Sequence, residues 1–332
     1  MCSACHGSGP GARVAFWRWA RMRNTWSATW RATLRGPTRS PSDKPRRVDD
    51  QMSVAFLNTS TKTSAKRELM ERALDPHILL GMPHLNPFGL SETWLMKELG
   101  HRHWLMLAQQ MDMEDADFRT PDGREAYAAI CATSLMQARL ELARANDVLV
   151  VHSSMSQVSR TQHASIHYVS IDAGIIAVVE ILSAFVARET GGDNRSLTRM
   201  GVTTGLAQPR LSNSLAAAAA AFRRGQSDVV SDISLAELRL SRTMIIRPSL
   251  QEEFNGAGLL YFANFQALAM RAIEDTLPPS QLMRRNVFFN GNINPGEAIE
   301  LKVRSSDDNV RWIVEFYRTD GSRLGLVTTW FA

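Results

Sequence analysis

Cysteine is nearly absent from this chain: Cys2, Cys5 and Cys131 are the only three in 332 residues. That is too few for a disulfide framework, and it suits a reducing compartment such as the cytoplasm. Long apolar runs are missing as well. The longest, Gly174–Val186, is interrupted by Glu180 and Ser183. It falls short of the roughly 18 apolar residues a membrane-spanning helix needs, so it reads as a buried strand and no membrane association is expected of the body. No Gly-x-Ser-x-Gly elbow, phosphate-binding P-loop or dinucleotide fingerprint occurs, which argues against the chemistries those motifs serve. Gly191-Gly192-Asp193 is turn chemistry only.

Positive charge is lacking where a nucleic-acid surface would need it. The formal net charge is +5, yet residues 1–51 hold ten Lys/Arg against three acids, leaving 28 basic and 30 acidic residues in the body. A nucleic-acid partner would have to rest on that tail alone, and none is expected. The tail also carries Trp17, Trp19, Trp26 and Trp30 without the apolar spacing of a stable helix. Residues 1–63 read as a disordered extension, as upstream codons before a natural start at Met52, or as a transit peptide or basic membrane-binding arm. Cys2-x-x-Cys5-His6 has the form of a haem or zinc half-site but lacks a second ligand pair nearby. His101-x-His103 with Asp112 and Glu114 matches no specific metal spacing, so no metal is expected.

What is present is a globular body, with 44% apolar and 21% charged residues in the whole chain. Ala65–Leu74 suits a short helix. An extended stretch at Ile78–Met82 follows, then a turn region with Pro83, Asn86, Pro87 and Gly89. Ser91 is a good N-cap and Glu92 sits in the first turn, where the dipole favours an acid; Gly100 is placed to end the helix. Trp94, Leu95 and Leu99 share one helical face. Strands are expected at Tyr127–Leu142, Val148–Val158, Ser165–Ile171 and Ile175–Val186. A connector, 191–236, contains the helix-favouring tract Ala216–Ala221.

The pattern then repeats. Thr243–Arg247 is extended and ended by Pro248; Asn255 caps a long helix expected over Gly256–Leu277, stopped by Pro278-Pro279. Strands follow at Leu282–Asn290, Glu297–Ser305, Val310–Arg318 and Leu324–Phe331, separated by Asn294-Pro295-Gly296, Asp307-Asp308-Asn309 and Asp320-Gly321. Trp312, Val314 and Phe316 alternate with Arg311, Ile313, Glu315 and Tyr317, a period of two. Strand, loop, helix and four antiparallel strands therefore occur twice, over 64–190 and 237–332. The expected class is α+β, a double hotdog: two long helices, each wrapped by an antiparallel sheet, with the sheets joined edge to edge. Such a chain mimics a dimer, whether it acts as a monomeric pseudo-dimer or pairs again as a homodimer.

Asn255-Gly256-Ala257-Gly258-Leu259-Leu260-Tyr261-Phe262-Ala263-Asn264-Phe265 and Phe288-Phe289-Asn290-Gly291-Asn292 resemble the double-hotdog family of the leinamycin-pathway methylmalonyl-CoA decarboxylase/acyltransferase. Gly81-Met82 is similar. Gly89-Leu90-Ser91-Glu92, Trp94-Leu95, Glu98-Leu99-Gly100 and His103-Trp104 look like related proteins of polyketide and nonribosomal-peptide clusters. The resemblance spans roughly residues 76–332 and is dense in the last 80. It implies decarboxylation of a malonyl-type CoA and transfer of the acyl group to an acyl carrier protein, with a tyrosine bearing the acyl group. The substrate would be acyl-CoA or a phosphopantetheine-linked acyl group, with no bound cofactor. The corresponding stretch here is Tyr127-Ala128-Ala129-Ile130-Cys131-Ala132, in which Tyr127 is the one aromatic residue where the family has an aromatic run. Cys131 is either an alternative acyl acceptor or a small buried residue.

Thioester chemistry needs donors on the carbonyl, and N–H groups at a helix N-terminus supply them. Gly256 and Gly258 would let a substrate approach the second helix closely. Asn255 either caps that helix or holds the acyl carbonyl. Tyr261 either faces a pantetheine tunnel or packs in the core. Asn264 takes a polar partner in the tunnel or is a satisfied buried amide, and Asn292 lies in the segment that resembles the family's strand-to-turn. In the first half, His84 and Asn86 precede Glu92; a His84–Glu92 acid–base pair on a dehydratase pattern competes with a dipole role for Glu92. The expectations thus run from acyl transfer, through a thioesterase or dehydratase acting on a carrier-bound chain, to a non-catalytic protein that binds or gates acyl carriers.

Overall fold

The structure, a computed structural model, describes residues 60–200, 213–226, 237–275 and 281–332. The expected extension below residue 60, the Met52 start, the Cys2–Cys5–His6 group, Pro278-Pro279 and connector residues 201–212 and 227–236 lie outside them. Among the described residues no helix is long and apolar enough to cross a membrane.

In chain order the elements are α1 (Ser60–Ala73), β1 (His77–Leu79), the short pair β2 (Leu85–Asn86) and β3 (Gly89–Leu90), α2 (Glu92–Gln110), β4 (Ala126–Met136), β5 (Val148–Ser159), β6 (Gln162–Ile171), β7 (Gly174–Arg188) and β8 (Leu197–Arg199). The rest are α3 (Ser214–Arg223), β9 (Arg239–Ile246), α4 (Phe265–Ile273), β10 (Leu282–Phe289), β11 (Ile299–Ser305), β12 (Arg311–Arg318) and β13 (Arg323–Phe331). Ten of these strands run side by side in the order β1-β5-β6-β7-β4-β10-β13-β12-β11-β9, with β8 added against β7. The order reads the same from either end: β4 corresponds to β10, β7 to β13, β6 to β12, β5 to β11 and β1 to β9. The sheets of the two halves join where β4 pairs β10, antiparallel, from Ala132↔Phe288 to Leu135↔Arg285. Ser134 Oγ donates to Asn286 Oδ1 across this junction at 2.8 Å, in the buried centre of the sheet.

Each half wraps one helix. Leu95, Met96 and Leu99 of α2 pack on Leu135, Leu149, Val151, Val169 and Ile181 of the first half. Phe265, Leu268, Ala269, Ala272 and Ile273 of α4 pack on Val287, Leu301, Val303, Trp312, Val314 and Phe316 of the second. Burying each of the leucine, isoleucine, valine, methionine and phenylalanine side chains stabilises by about 1.5–3 kcal/mol. The period-two alternation sends Ile313 and Leu326 to the opposite face, where they meet Leu215, Ala219 and Phe222 of α3 together with Cys131, Ala132, Leu182 and Ala184. The alanine tract therefore forms the expected helix and covers the outer face of the junction. This is the double hotdog, and it belongs to one compact unit, Leu57–Ala332.

Three local expectations are corrected. Gly100 does not end the first helix, which runs to Gln110 with Ser91 Oγ accepting from Trp94 N at its start. A Cβ at Gly100 would lie 2.6 Å from two ring carbons of Phe262, so the glycine permits a close crossing between the halves. The expected helix over Gly256–Leu277 begins only at Phe265, after a 3-10 turn at Phe262–Asn264. Asn255 Oδ1 accepts from Ala257 N and Leu259 N, and Gly258 takes φ +69, which closes residues 255–260 into a loop instead of a helical turn. The strand expected to run to Leu142 stops at Met136, before Gln137 at φ 52, and a 3-10 turn follows at Leu140–Leu142.

Candidate functional site

The junction between the halves is closed at one end and open at the other. Beyond Ala132, β4 continues back to Ala126 while β10 has ended, and the gap holds a cavity of about 740 Å³. Its walls are the β4 edge, the 255–260 loop, Asn290-Gly291-Asn292 and, on the helix side, Gly100, Trp104, Phe262, Phe265 and Phe289. Trp104 Nε1 donates to the Ala128 carbonyl on that edge at 3.1 Å, which satisfies an acceptor the missing strand leaves over.

Tyr127 lies on this wall. Its hydroxyl donates to Glu125 and accepts from Arg188 Nη1 at 2.9 Å, while the guanidinium lies 5.1 Å from the ring centroid. Burial first, and then Glu125, push the phenol above its ordinary pKa; Arg188 pulls the other way. Arg188 also donates to Asn194 Oδ1 at 2.9 and 2.7 Å and to the Ala257 carbonyl at 2.5 Å. Buried Asn194 passes the restraint on, donating to the carbonyls of Gly258 and Ile293, each at 2.7 Å. Arg188 and Asn194 thus clamp the second half's loop against the first half's tyrosine.

Of the second-half candidates, Asn255, Gly256, Tyr261 and Asn292 line the cavity. Nothing stands within 4 Å of a Cβ built on Gly256, so the backbone there faces open space. Tyr261 is partly buried, with its phenol pushed up by burial and then by Glu98. Asn292 Oδ1 accepts from Leu260 N at 2.9 Å and its amide donates to the Leu260 carbonyl at 3.0 Å, pinning the loop's other end. The helix-terminus donors expected for a carbonyl are otherwise engaged: Ala257 N and Leu259 N meet Asn255, and Leu260 N meets Asn292. Gly258 serves the turn. Asn264 lies away from the cavity wall, 4% exposed, donating to the Glu253 carbonyl at 2.9 Å.

The first-half candidates other than Tyr127 sit elsewhere. His84 Nδ1 accepts from Gly81 N at 2.8 Å and its ring stands 4.6 Å from that of Trp94. Asn86 Oδ1 accepts from Phe88 N in the β2–β3 turn at 2.8 Å. Glu92 bonds Arg285, a side chain 1% exposed that also donates to Thr329 Oγ1 at 3.0 Å. Burial pushes the Glu92 carboxyl up against the pull of Arg285. This ion pair does not join His84 in an acid–base dyad. With Gln281 Nε2 on Glu141 (2.5 Å) and Ala138 N on the Met283 carbonyl (3.0 Å), it shuts the opposite end of the junction.

The histidines of the expected metal cluster separate. His101 lines the cavity, whereas His103 is fully buried between Ser165 Oγ and Ser183 Oγ, both at 2.7 Å. Ser165 in turn meets His167 Nε2 at 2.8 Å, and His167 Nδ1 meets Ser153 at 2.7 Å. Asp112 and Glu114 face Arg67. Among the described residues no group of three or more His, Cys, Asp or Glu is placed to hold a metal.

Cys131 shares the outer face of β4 and contributes to the cavity wall. Burial pushes its thiol up, while Arg199 and Arg223 oppose that shift; Arg199 Nη2 is 3.6 Å from Sγ. Glu125, Arg188, Asn194, Arg199 and Arg223 were not found from the sequence. Arg188 and Arg199 meet their β4 partners across 61 and 68 residues of chain, and Glu125, only two residues from Tyr127, carries no local motif that marks it.

No family model and no curated protein matches the chain. Solved structures do. The chain is similar to the 12:0-ACP thioesterase from Umbellularia californica, at 10% identity and a TM-score of 0.55, over 77% of this chain and 95% of that one. It is also similar to an acyl-ACP thioesterase from Bacteroides thetaiotaomicron, at 10% identity and a TM-score of 0.53, over 79% and 99%. At this identity the likeness shows the shared double-hotdog fold.

Proposed function

We propose that this chain processes an acyl thioester, carried on coenzyme A or on the phosphopantetheine arm of an acyl carrier protein, in the cavity beside β4. One observation carries the reading: Tyr127 Oη stands in the cavity wall between a carboxylate that accepts its proton and a guanidinium that opposes the effect of burial. Solved structures of the same fold include proteins described as acyl-ACP thioesterases, which supports the substrate class. The aromatic wall of Trp104, Phe262, Phe265 and Phe289 suits an acyl chain.

The step favoured is acyl transfer through Tyr127. Its oxygen attacks the thioester carbonyl as its proton passes to Glu125; the C–S bond breaks and the thiolate leaves with that proton. A carrier thiol then takes the acyl group from the tyrosyl ester and returns the proton to the phenol. Loss of CO₂ from a malonyl-type chain and a place in a polyketide-type pathway rest on the sequence resemblance. Hydrolysis uses the same groups with water as acceptor, and the side chain of Glu125 is exposed to solvent.

The test incubates the protein with acyl-CoA and a carrier protein, following both by mass spectrometry. Acyl-carrier or free acid is expected, with turnover lowered ~10²-fold or more in Tyr127→Phe. Hydration of an enoyl thioester would point to a dehydratase, and a stable complex with unchanged masses to a carrier-binding protein. Full activity of Tyr127→Phe removes the tyrosine from the mechanism.

A further inference from the structure

Four arginines line the cavity: Arg195, Arg199, Arg223 and Arg318. Two are matched. Arg195 pairs Glu297 at 2.7 Å and Asp320 at 3.6 Å, and Arg318 donates to the Asn292 carbonyl and to Ser322. Arg199 and Arg223 are not. Among the described residues neither has a carboxylate within ion-pair reach; Arg199 has Cys131 Sγ as its polar neighbour, and Arg223 Nη1 is buried without a hydrogen-bond partner. They come from separate elements, β8 and α3, and burial first, then the nearby Arg199 guanidinium, disfavour the charge on Arg223. Two neighbouring cations with an unsatisfied donor in a cavity wall cost free energy until an anion joins them.

The position says which anion. Tyr127 and Cys131 both line the cavity from β4, four residues apart, or roughly 13 Å of strand. The proposed acyl acceptor stands at one end of that span and the two guanidiniums at the other, with Arg199 exposed to solvent. Two planar forks suit the several oxygens of a phosphate, while a carboxylate fills one fork.

We propose that Arg199 and Arg223 bind the phosphate of a phosphopantetheine-type arm, with the acyl group lying at Tyr127 and its chain among the aromatic residues. This rests on the acyl-thioester reading and adds the subsite that recognises the carrier group. It also assigns α3, from the segment linking the halves, a part in binding.

Calorimetry on the full chain tests it with two inert thioether analogues of an acyl-pantetheine, one bearing the 4′-phosphate and one without. The phosphate should raise affinity ~10- to 100-fold, and Arg199→Gln/Arg223→Gln should collapse that advantage. Arg199→Gln alone, at an exposed position, should shrink it in the same direction if the α3 substitution disturbs folding. Equal binding of both analogues to the natural sequence overturns the phosphate site while leaving the thioester reading standing. Binding of neither overturns both. A third analogue, lacking phosphate but ending its acyl chain in a carboxylate, should be insensitive to the double substitution. Selective loss of its binding would reassign the pair to the acyl end and overturn the proposal.

Discussion

Lowering the pH from 7 to 5 should destabilise this protein through two histidines in its first half. His103 and His167 are 0% exposed and linked through Ser165, and burial holds both imidazoles down at about 3, against 6.5 when free. Between those values the unfolded chain binds a proton at each ring and the folded chain does not. The stability they confer is therefore present above pH 6.5 and is lost progressively as pH falls towards 3. At pH 5, 1.5 pH units below the free value of 6.5, each histidine costs about 2 kcal/mol at 1.36 kcal/mol per unit, and the two together about 4 kcal/mol. That is a large part of a typical domain's 5–15 kcal/mol. Among the described carboxylates whose pKa is lowered, Asp75, Asp115, Asp122, Asp193, Asp308 and Asp320 titrate below 3.8, outside this window. Buried Glu92, pushed up, works in the opposite sense. Urea unfolding followed by tryptophan fluorescence at pH 7, 6 and 5 reads the effect as a falling midpoint. His103→Gln/His167→Gln should lower stability at pH 7 yet flatten its decline on acidification. A natural chain whose midpoint is constant across this range, or a double variant that keeps the full slope, refutes the assignment.

Two further perturbations address the junction. Gly100→Ala sets a methyl 2.6 Å from the Phe262 ring; overpacking of about 1–3 kcal/mol outweighs the roughly 1 kcal/mol by which helices prefer alanine. A lower Tm is expected, recovered in part by Phe262→Leu, and an unchanged Tm would show that the crossing has slack. Glu92→Leu leaves Arg285 buried without its carboxylate and should cost about 3–5 kcal/mol in urea unfolding, whereas Glu92→Leu/Arg285→Met should recover most of it. Equal losses in the single and double variants would mean that the ion pair is not what the single substitution disrupts.

The strands were legible because two signals coincide in them. Arg311–Arg318 alternates in sequence, and Asp307-Asp308-Asn309 and Asp320-Gly321 bracket it, so pattern and turn chemistry agree on a strand even though both of its faces are covered and Trp312–Phe316 are all buried. Repetition of the whole series then gave the fold. The second helix was misplaced because Asn255 and the glycines after it read equally as a cap or a loop; the side chain's bonds to Ala257 N and Leu259 N decide for the loop. Gly100 misled for a related reason: beside an expected helix end a glycine suggests a stop, while its use depends on Phe262, far away in sequence. The site was half legible. Tyr127, Tyr261, Asn255, Gly256 and Asn292 fall on the cavity wall, but the arginines and Asn194 gain their meaning only from partners that folding brings to them.

In an assembly of two identical chains, strict two-fold symmetry would make both ends of the β4–β10 junction alike. A single chain that carries both halves is free of that constraint. One mouth can be widened and armed with its own residues while the other is sealed by a carboxylate, a guanidinium and an amide, so that seal and opening evolve separately. The sealed end can then brace the junction, leaving the open end to change its ligand without loosening the join.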